Sequence, residues 1–383
     1  MGYLQNIKKS FQWKNALNYF IIVAVLIVMI LLNQAGALGK GDRSMLTRIA
    51  FSAILAVSLN LVVGFLGELS LGHAGFMCVG AYIGCFFANF LRSTMGGGEL
   101  LIFILSMLLG GLVAALFGFI VGMPALRLKG DYLAIATLAF GEIVRNIFKN
   151  LSLFGGAMGL STQLYDSNSL FIVAIVTLLV VLFLSQNFIR SKHGRAVTAI
   201  RDNEIAARAM GINVTFYKLI VFVIAAFFAG VAGVIYGQTF GTVRQETFSY
   251  NYSIEILVMV VLGGMGSING SLIAAAIITY VNIALQNELS GPLAPVKSIV
   301  YAVILIGIVL FNNAPELKSI KEKLSIRNFM KKKSHRHNAP EVIQDDDAAW
   351  NRIETKIEMD ELLSVEIQPN EKPAAEQKEG EEE

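Results

Sequence analysis

Apolar stretches with few charges alternate with short polar intervals along this chain, and their spacing sets the first reading. The runs are Ala16–Leu38, Ile49–Leu66, Leu69–Leu91, Leu100–Val121, Tyr132–Phe148, Leu170–Ile189, Leu219–Tyr236, Ile254–Leu285 and Ser298–Phe311. Most reach or approach the roughly 20 residues that carry a helix across hydrocarbon. Ala16–Leu38 begins too late and is too long for a signal-peptide core, and no small-residue cleavage site ends it, so it reads as a retained span. The pattern predicts an all-α polytopic membrane protein with about eight to ten membrane segments.

Two runs do not read as simple spans. Ile254–Leu285 is long enough for a helix and a half and is broken by Gly263-Gly264-Met265-Gly266-Ser267. Leu69–Leu91 follows directly on Leu66-Gly67-Glu68 and carries Gly72 and Gly75 near its start. Such breaks predict interrupted or re-entrant helices, which are tolerated only where protein or a water-filled path covers the backbone. The two regions also resemble each other: an apolar helix, a glycine break, then a second helix rich in small residues. Paired broken segments point to a transporter's substrate path. The alternative is that the glycines only let helices pack closely.

Charge orients the spans. Clusters at Lys8, Lys9 and Lys14, at Arg127 and Lys129, from Arg190 to Arg208, and from Lys318 to Lys333 all fall on one side if every run crosses once and Ile254–Leu285 forms a hairpin. The positive-inside rule makes that side, and both termini, cytoplasmic. Lys40, Arg43 and Arg48 fall on the other side and run against the rule. Residues 334–383 hold 15 acidic and 5 basic residues, so the net charge of +3 divides into a basic body and an acidic tail. The mean hydropathy of +0.62 and a charged fraction of only 15% set the chain as a whole apart from soluble domains. Its basic residues sit between apolar runs, which speaks for loops at a membrane rather than for nucleic acid. The organisation expected is a cytoplasmic N-terminus (1–15), a membrane body (16–312) with a polar cytoplasmic loop at 191–217, and a basic-then-acidic tail (313–383). The tail has the composition of a disordered segment, and within it 348–365 has the pattern of an amphipathic helix.

Catalytic chemistry is not in the pattern. No G-x-x-x-x-G-K-[ST] or H-E-x-x-H stands in the sequence. Cys78 and Cys85 would lie about 10 Å apart on one helix and read as packing residues. The expectation is a protein without cofactor or metal, whose uphill transport, if any, draws on an ion gradient or on a partner. Ionisable and polar groups inside apolar runs are the candidates for function. Glu142 and Arg145 are three apart and can pair along a helix, or line a path and meet a zwitterion. Asn60, His73 and Asn282 can bond between helices or contact a solute. His73 lies beside Gly72, where a break can present backbone N–H groups to a carboxylate. With Gly264 and Gly266 of the second break, the candidate substrate path comprises Asn60, Gly72, His73, Glu142, Gly264 and Gly266. Asp131 reads as a helix cap before Tyr132.

The polar interval 191–217 (SKHGRAVTAIRDNEIAARAMGINVTFY) reads as a surface helix stopped by Gly211. Its small apolar side suits docking into a partner's groove, and the alternative is a loop lying on lipid headgroups. Residues 205–211 (IAARAMG) resemble the E-A-A-x-x-x-G loop by which permeases of ATP-binding-cassette importers engage their ATPase. Ile205 stands at the motif's Glu, with Glu204 one residue earlier, and the downstream Leu-Pro is absent. Three longer stretches, 59–75 (LNLVVGFLGELSLGHAG), 130–145 (GDYLAIATLAFGEIVR) and 194–204 (GRAVTAIRDNE), resemble the permease subunits of branched-chain amino acid importers, more the M-type (LivM) than the H-type. The resemblance covers about 45–312.

It implies a multi-pass permease subunit of a bacterial plasma membrane importer for leucine, isoleucine and valine. The implied partners are ATPase subunits that bind the ATP, a second homologous permease of the LivH type, an extracytoplasmic substrate-binding protein and the lipid bilayer. Coupling to the ATPase would fall to Arg195, Asp202, Glu204, Ala206, Ala207 and Gly211. The same machinery with urea or a short-chain amide as cargo is the nearest alternative. An ion-coupled secondary transporter would need a buried carboxylate relay, for which only Glu142, Glu68 and Glu255 offer themselves, and a structural membrane scaffold would leave the paired breaks unused.

Overall fold

The computed structural model describes residues 27–36, 38–95, 98–128, 130–163, 165–288, 303 and 306. All belong to the unit that runs from Met1 to Ala314. Among the described residues the regular structure is helical apart from one ribbon of two-residue strands. In chain order the helices are α1 (Lys40–Asn60), continued by a π-helical turn at Leu61–Leu66, α2 (His73–Met95), α3 (Glu99–Ala125), α4 (Asp131–Asn150), α5 (Ser167–Arg190), α6 (Lys192–Asp202), α7 (Glu204–Ala209), α8 (Val214–Phe240), α9 (Tyr250–Gly263) and α10 (Ile268–Glu288). The ribbon pairs Leu160 with Val243 and Ser161 with Thr242.

Helix α1 is the central pillar. From Ala50 to Val63 it is buried along its whole circumference, and it packs on α5, α8, α9 and α10. A helix apolar on every side belongs in the middle of a bundle. On one flank α2, α3 and α8 meet at glycines. A Cβ on Gly80 would fall 2.3 Å from the backbone of Gly230, and one on Gly233 would fall 2.2 Å from the carbonyl of Met77. No side chain fits there, so the backbones approach as small residues allow in membrane bundles. Cys78 and Cys85 are free thiols buried on α2. The outer faces of α3, α5 and α10 expose Leu112, Leu116, Phe183, Ile273 and other large apolar residues. Such faces fit hydrocarbon or another apolar surface, not water.

Among the described residues six helices are long and apolar enough to cross a membrane: Lys40–Leu66, His73–Thr94, Glu99–Ala125, Ser167–Arg190, Val214–Phe240 and Ile268–Gln286. The sequence runs map onto them with two changes and one break that the glycines predict. The run Tyr132–Phe148 forms the 20-residue α4, but Asp131, Glu142, Arg145 and Lys149 keep it out of the apolar set. The run Ile254–Leu285 divides at its glycines into the 14-residue α9 and the full-length α10. At about 21 Å, α9 is too short to span. The second change is in the polar interval 191–217, where the sequence reads as one helix and the structure has two. Asn203, with φ −157° and ψ 103°, breaks it, and its Oδ1 accepts the Ala206 N–H (3.0 Å) as the N-cap of α7. Most of Ala16–Leu38 and of Ser298–Phe311, and the whole tail, lie outside the described residues; within the first run, 27–34 are helical.

Candidate functional site

The two glycine breaks lie against each other. The first starts where α1 ends in its π turn, passes Gly67 at φ +82° and reaches α2 through a segment without regular structure at 67–72. The second is the turn between α9 and α10, where Gly264 (φ +91°) and Gly266 (φ +81°) occupy conformations that side chains other than glycine's rarely adopt. Asn60 fastens one to the other. It has no exposed surface. Its Oδ1 accepts the Gly266 N–H (2.9 Å), while its Nδ2 donates to the Ser267 carbonyl (3.0 Å) and the Ser271 hydroxyl (2.9 Å). The fit is close enough that a Cβ on Gly64 would come within 2.3 Å of the Gly266 nitrogen.

The segment after the first break is held on its other side by α4 and α9. The Leu71 N–H donates to Thr137 Oγ1 (3.0 Å), and the Ala74 N–H, in the first turn of α2, to Ser253 Oγ (3.0 Å). Gly72 and Gly75 lie flat on α4: Cβ atoms there would fall 2.3 Å from the Thr137 carbonyl and 2.7 Å from Gly141 Cα. His73 is buried and pairs with Ser58 of α1 at 2.7 Å. The Ser58 hydroxyl donates to the Leu55 carbonyl (2.9 Å), which leaves its oxygen to accept from His73 Nε2.

Glu142 holds two elements. One carboxylate oxygen pairs with Arg145 (2.6 Å), and the other accepts the Tyr250 N–H (3.1 Å) at the first residue of α9. An anion there satisfies a free N–H and meets the positive end of the helix dipole. Beside it, Ile143, Asn146, Ile147, Asn150 and Leu151 line an open groove of about 560 Å³ on the outer face of α4. Asn282 of α10 donates to Glu255 of α9 (2.9 Å). Asp131 is the first residue of α4, not its cap; the N-cap is Gly130, without a side-chain bond.

Helices α6 and α7 sit at the breaks. Each helix of this region starts at a side-chain cap: Ser191 for α6, Asn203 for α7 and Asn213 for α8. Gly211, at φ +81°, turns the chain from α7 toward α8. Ala207 is only 4% exposed and faces this chain's own core. Ala206 is exposed, and beside it Ile205 and Met210 are each 82% exposed. The apolar side free for a partner is therefore formed by Ile205, Ala206 and Met210, with Ala207 packed behind it. Arg195 is exposed and donates to the Arg190 carbonyl (3.4 Å), and Asp202 binds the Arg201 guanidinium (2.9 Å).

Two cations escaped the candidate set drawn from the sequence. Arg201 Nη1 donates to the Gly64 carbonyl (3.1 Å), and its side chain lies across Gly67 and Gly266. Lys218, four residues after Val214 and 4% exposed, binds the carboxylates of Glu68 in the first break and of Glu204 on α7 (3.1 Å). Glu204 also takes Arg208 (2.8 Å). Lys218 stands at the edge of an apolar run, where one buried charge has a sequence signal. Arg201 has none, because its partner in the break is a backbone carbonyl.

Fold and site together define a polytopic helical membrane protein whose two helix breaks are bonded to each other, the first also to a charged helical hairpin. The model of the family described as branched-chain amino acid transport system / permease component matches residues 43–310, and the chain belongs to that family. It is 36% identical to the high-affinity branched-chain amino acid transport system permease protein LivM of Escherichia coli (strain K12) over 300 residues, 70% of this chain and 68% of that protein. The identity to LivM of Salmonella typhimurium is also 36%, over 65% of this chain and 64% of that one. The chain thus aligns to about two thirds of the length of these relatives. The ribose import permease protein RbsC of Escherichia coli (strain K12) is 28% identical over 76% of this chain and 81% of its own length. No solved structure matches the chain.

Proposed function

We propose that this chain is a permease subunit of an ATP-binding-cassette importer and admits branched-chain amino acids to the cell. The observation that carries the reading is the attachment of the α6–α7 hairpin, with its exposed Ile205 and Met210, to the first helix break, which Asn60 bonds to the second. A hairpin that offers an apolar face outward and grips the interrupted helices inward is built to receive a push from another protein. The basic residues of this interval support a cytoplasmic position for the hairpin, where the ATPase subunits would bind. A second, homologous permease subunit would complete the path, and an extracytoplasmic binding protein would deliver the solute. The permease does no covalent chemistry. Its ATPase moves it only by binding one of its conformations better than the other.

Leucine, isoleucine and valine as cargo are supported by the likeness to LivM; the likeness to a ribose permease makes the pentose the comparison to run. The carboxylates that an ion-coupled carrier would use are each engaged: Glu142 with Arg145, Glu68 with Lys218 and Glu255 with Asn282. The test is uptake of labelled leucine by cells that depend on this chain and its assembly. Isoleucine and valine should compete, and urea, acetamide and ribose should not. Competition by one of the latter without effect from the branched-chain amino acids would reassign the cargo.

A further inference from the structure

We propose that Arg201 and Lys218 are the positioning residues that transmit movement of the α6–α7 hairpin to the two helix breaks. The inference rests on the proposed docking of an ATPase on that hairpin and names the parts inside the permease that carry the stroke.

The geometry is that of a linkage with two arms. Arg201, at the end of α6, holds the Gly64 carbonyl (3.1 Å). That carbonyl lies in the π-helical turn, so a side chain grips the backbone of the break itself. The stem of Arg201 passes against Gly67, where a Cβ would fall 2.8 Å from its Cγ, and Nη1 would lie 3.4 Å from a Cβ on Gly266. The guanidinium therefore bonds the first break and lies beside the second, and Asp202 orients it from the neighbouring position. The second arm runs from Glu204 at the start of α7 through Lys218 to Glu68, the residue after Gly67. Asn60 closes the loop by bonding the second break to the end of α1. A shift of α6 and α7 thus pulls on one break directly and on the other through Asn60. Packed interfaces of this kind move between discrete arrangements rather than deforming continuously. The pair also has a cost that argues for use: a buried cation bound to two carboxylates is a poor way to gain stability alone, since apolar residues often serve as well.

The experiment uses the complete transporter, this chain with its permease partner and ATPase subunits, in lipid vesicles with the external binding protein. Solute taken up per ATP hydrolysed is measured for Arg201→Ala, Lys218→Met, the conservative Arg201→Lys, and Lys192→Ala, which removes the same charge from the exposed start of α6. Arg201→Ala and Lys218→Met should keep the ATPase bound and hydrolysing while solute per ATP falls at least tenfold. Arg201→Lys should recover part of the ratio, and Lys192→Ala should match the wild type. A merely structural role would lower uptake and hydrolysis together and leave their ratio unchanged; that result overturns the proposal. If Lys218→Met does not assemble, Arg201→Ala decides alone, because its side chain is part-exposed and can be truncated without burying a charge. Failure of the docking reading is seen separately: Ile205→Asp would then leave ATPase binding intact.

Discussion

Asn60 shows what a single amide can fix. Its side-chain bonds go to the turn between α9 and α10 and to the first turn of α10, more than 200 positions away in the chain. Replacing it with Leu leaves the Gly266 N–H without its acceptor and the Ser267 carbonyl without its donor. We expect about 1–3 kcal/mol of lost stability, read as a lower unfolding midpoint in detergent, and unchanged stability would show that the turn does not depend on it. Gly266→Ala should cost about 1–2 kcal/mol for the left-handed backbone, and Gly64→Ala more, because its Cβ has no room. Sequence pattern picks out Asn60 as a polar residue in an apolar run and the glycines as breaks. It does not show that they meet, because the bond partners are backbone groups on a distant segment. The same limit hides Arg201. His73, also visible as a polar residue in an apolar run, is engaged by Ser58.

Elements divide into those that hydropathy defines and those that local chemistry defines. The long spans belong to the first kind and follow the apolar runs, although the first begins at Lys40, ahead of its run, and the last takes only the part of its run after the glycines. Helices α6 and α7 belong to the second. The break between them comes from Asn203 acting as a cap, a preference that competes with a weak helical signal on either side. The short α9 depends on Glu142, which satisfies its first N–H. Glu142→Leu should lower the unfolding midpoint clearly and Glu142→Gln, which keeps an acceptor, only slightly. Uptake lost in both variants at wild-type stability would instead place Glu142 in contact with the solute. On α7, Ile205→Asp and Met210→Asp should abolish retention of the ATPase subunits through purification while the permease remains in the membrane. Retention at the wild-type level would put the docking face elsewhere. A bulky residue at Ala207 is a poorer test of docking, because that side chain packs inward.

At the scale of the molecule, the described residues form a bundle around α1, with apolar faces turned outward and one polar hairpin gathered at the breaks. The architecture was legible because composition and run length alone require membrane helices, and because glycines mark where those helices stop. The wiring between hairpin and breaks was not legible. It depends on which ends of α1, α5, α8 and α10 the fold brings together, and run lengths do not order helices in space. The central claim is that the polypeptide is a gate driven by another protein. The direct measurement is leucine accumulation in vesicles that hold either the purified chain alone, under a proton or sodium gradient, or the full assembly with binding protein and ATP. Accumulation above the external concentration only in the full assembly, and only with ATP, is the predicted result. Gradient-driven accumulation by the chain alone would contradict it.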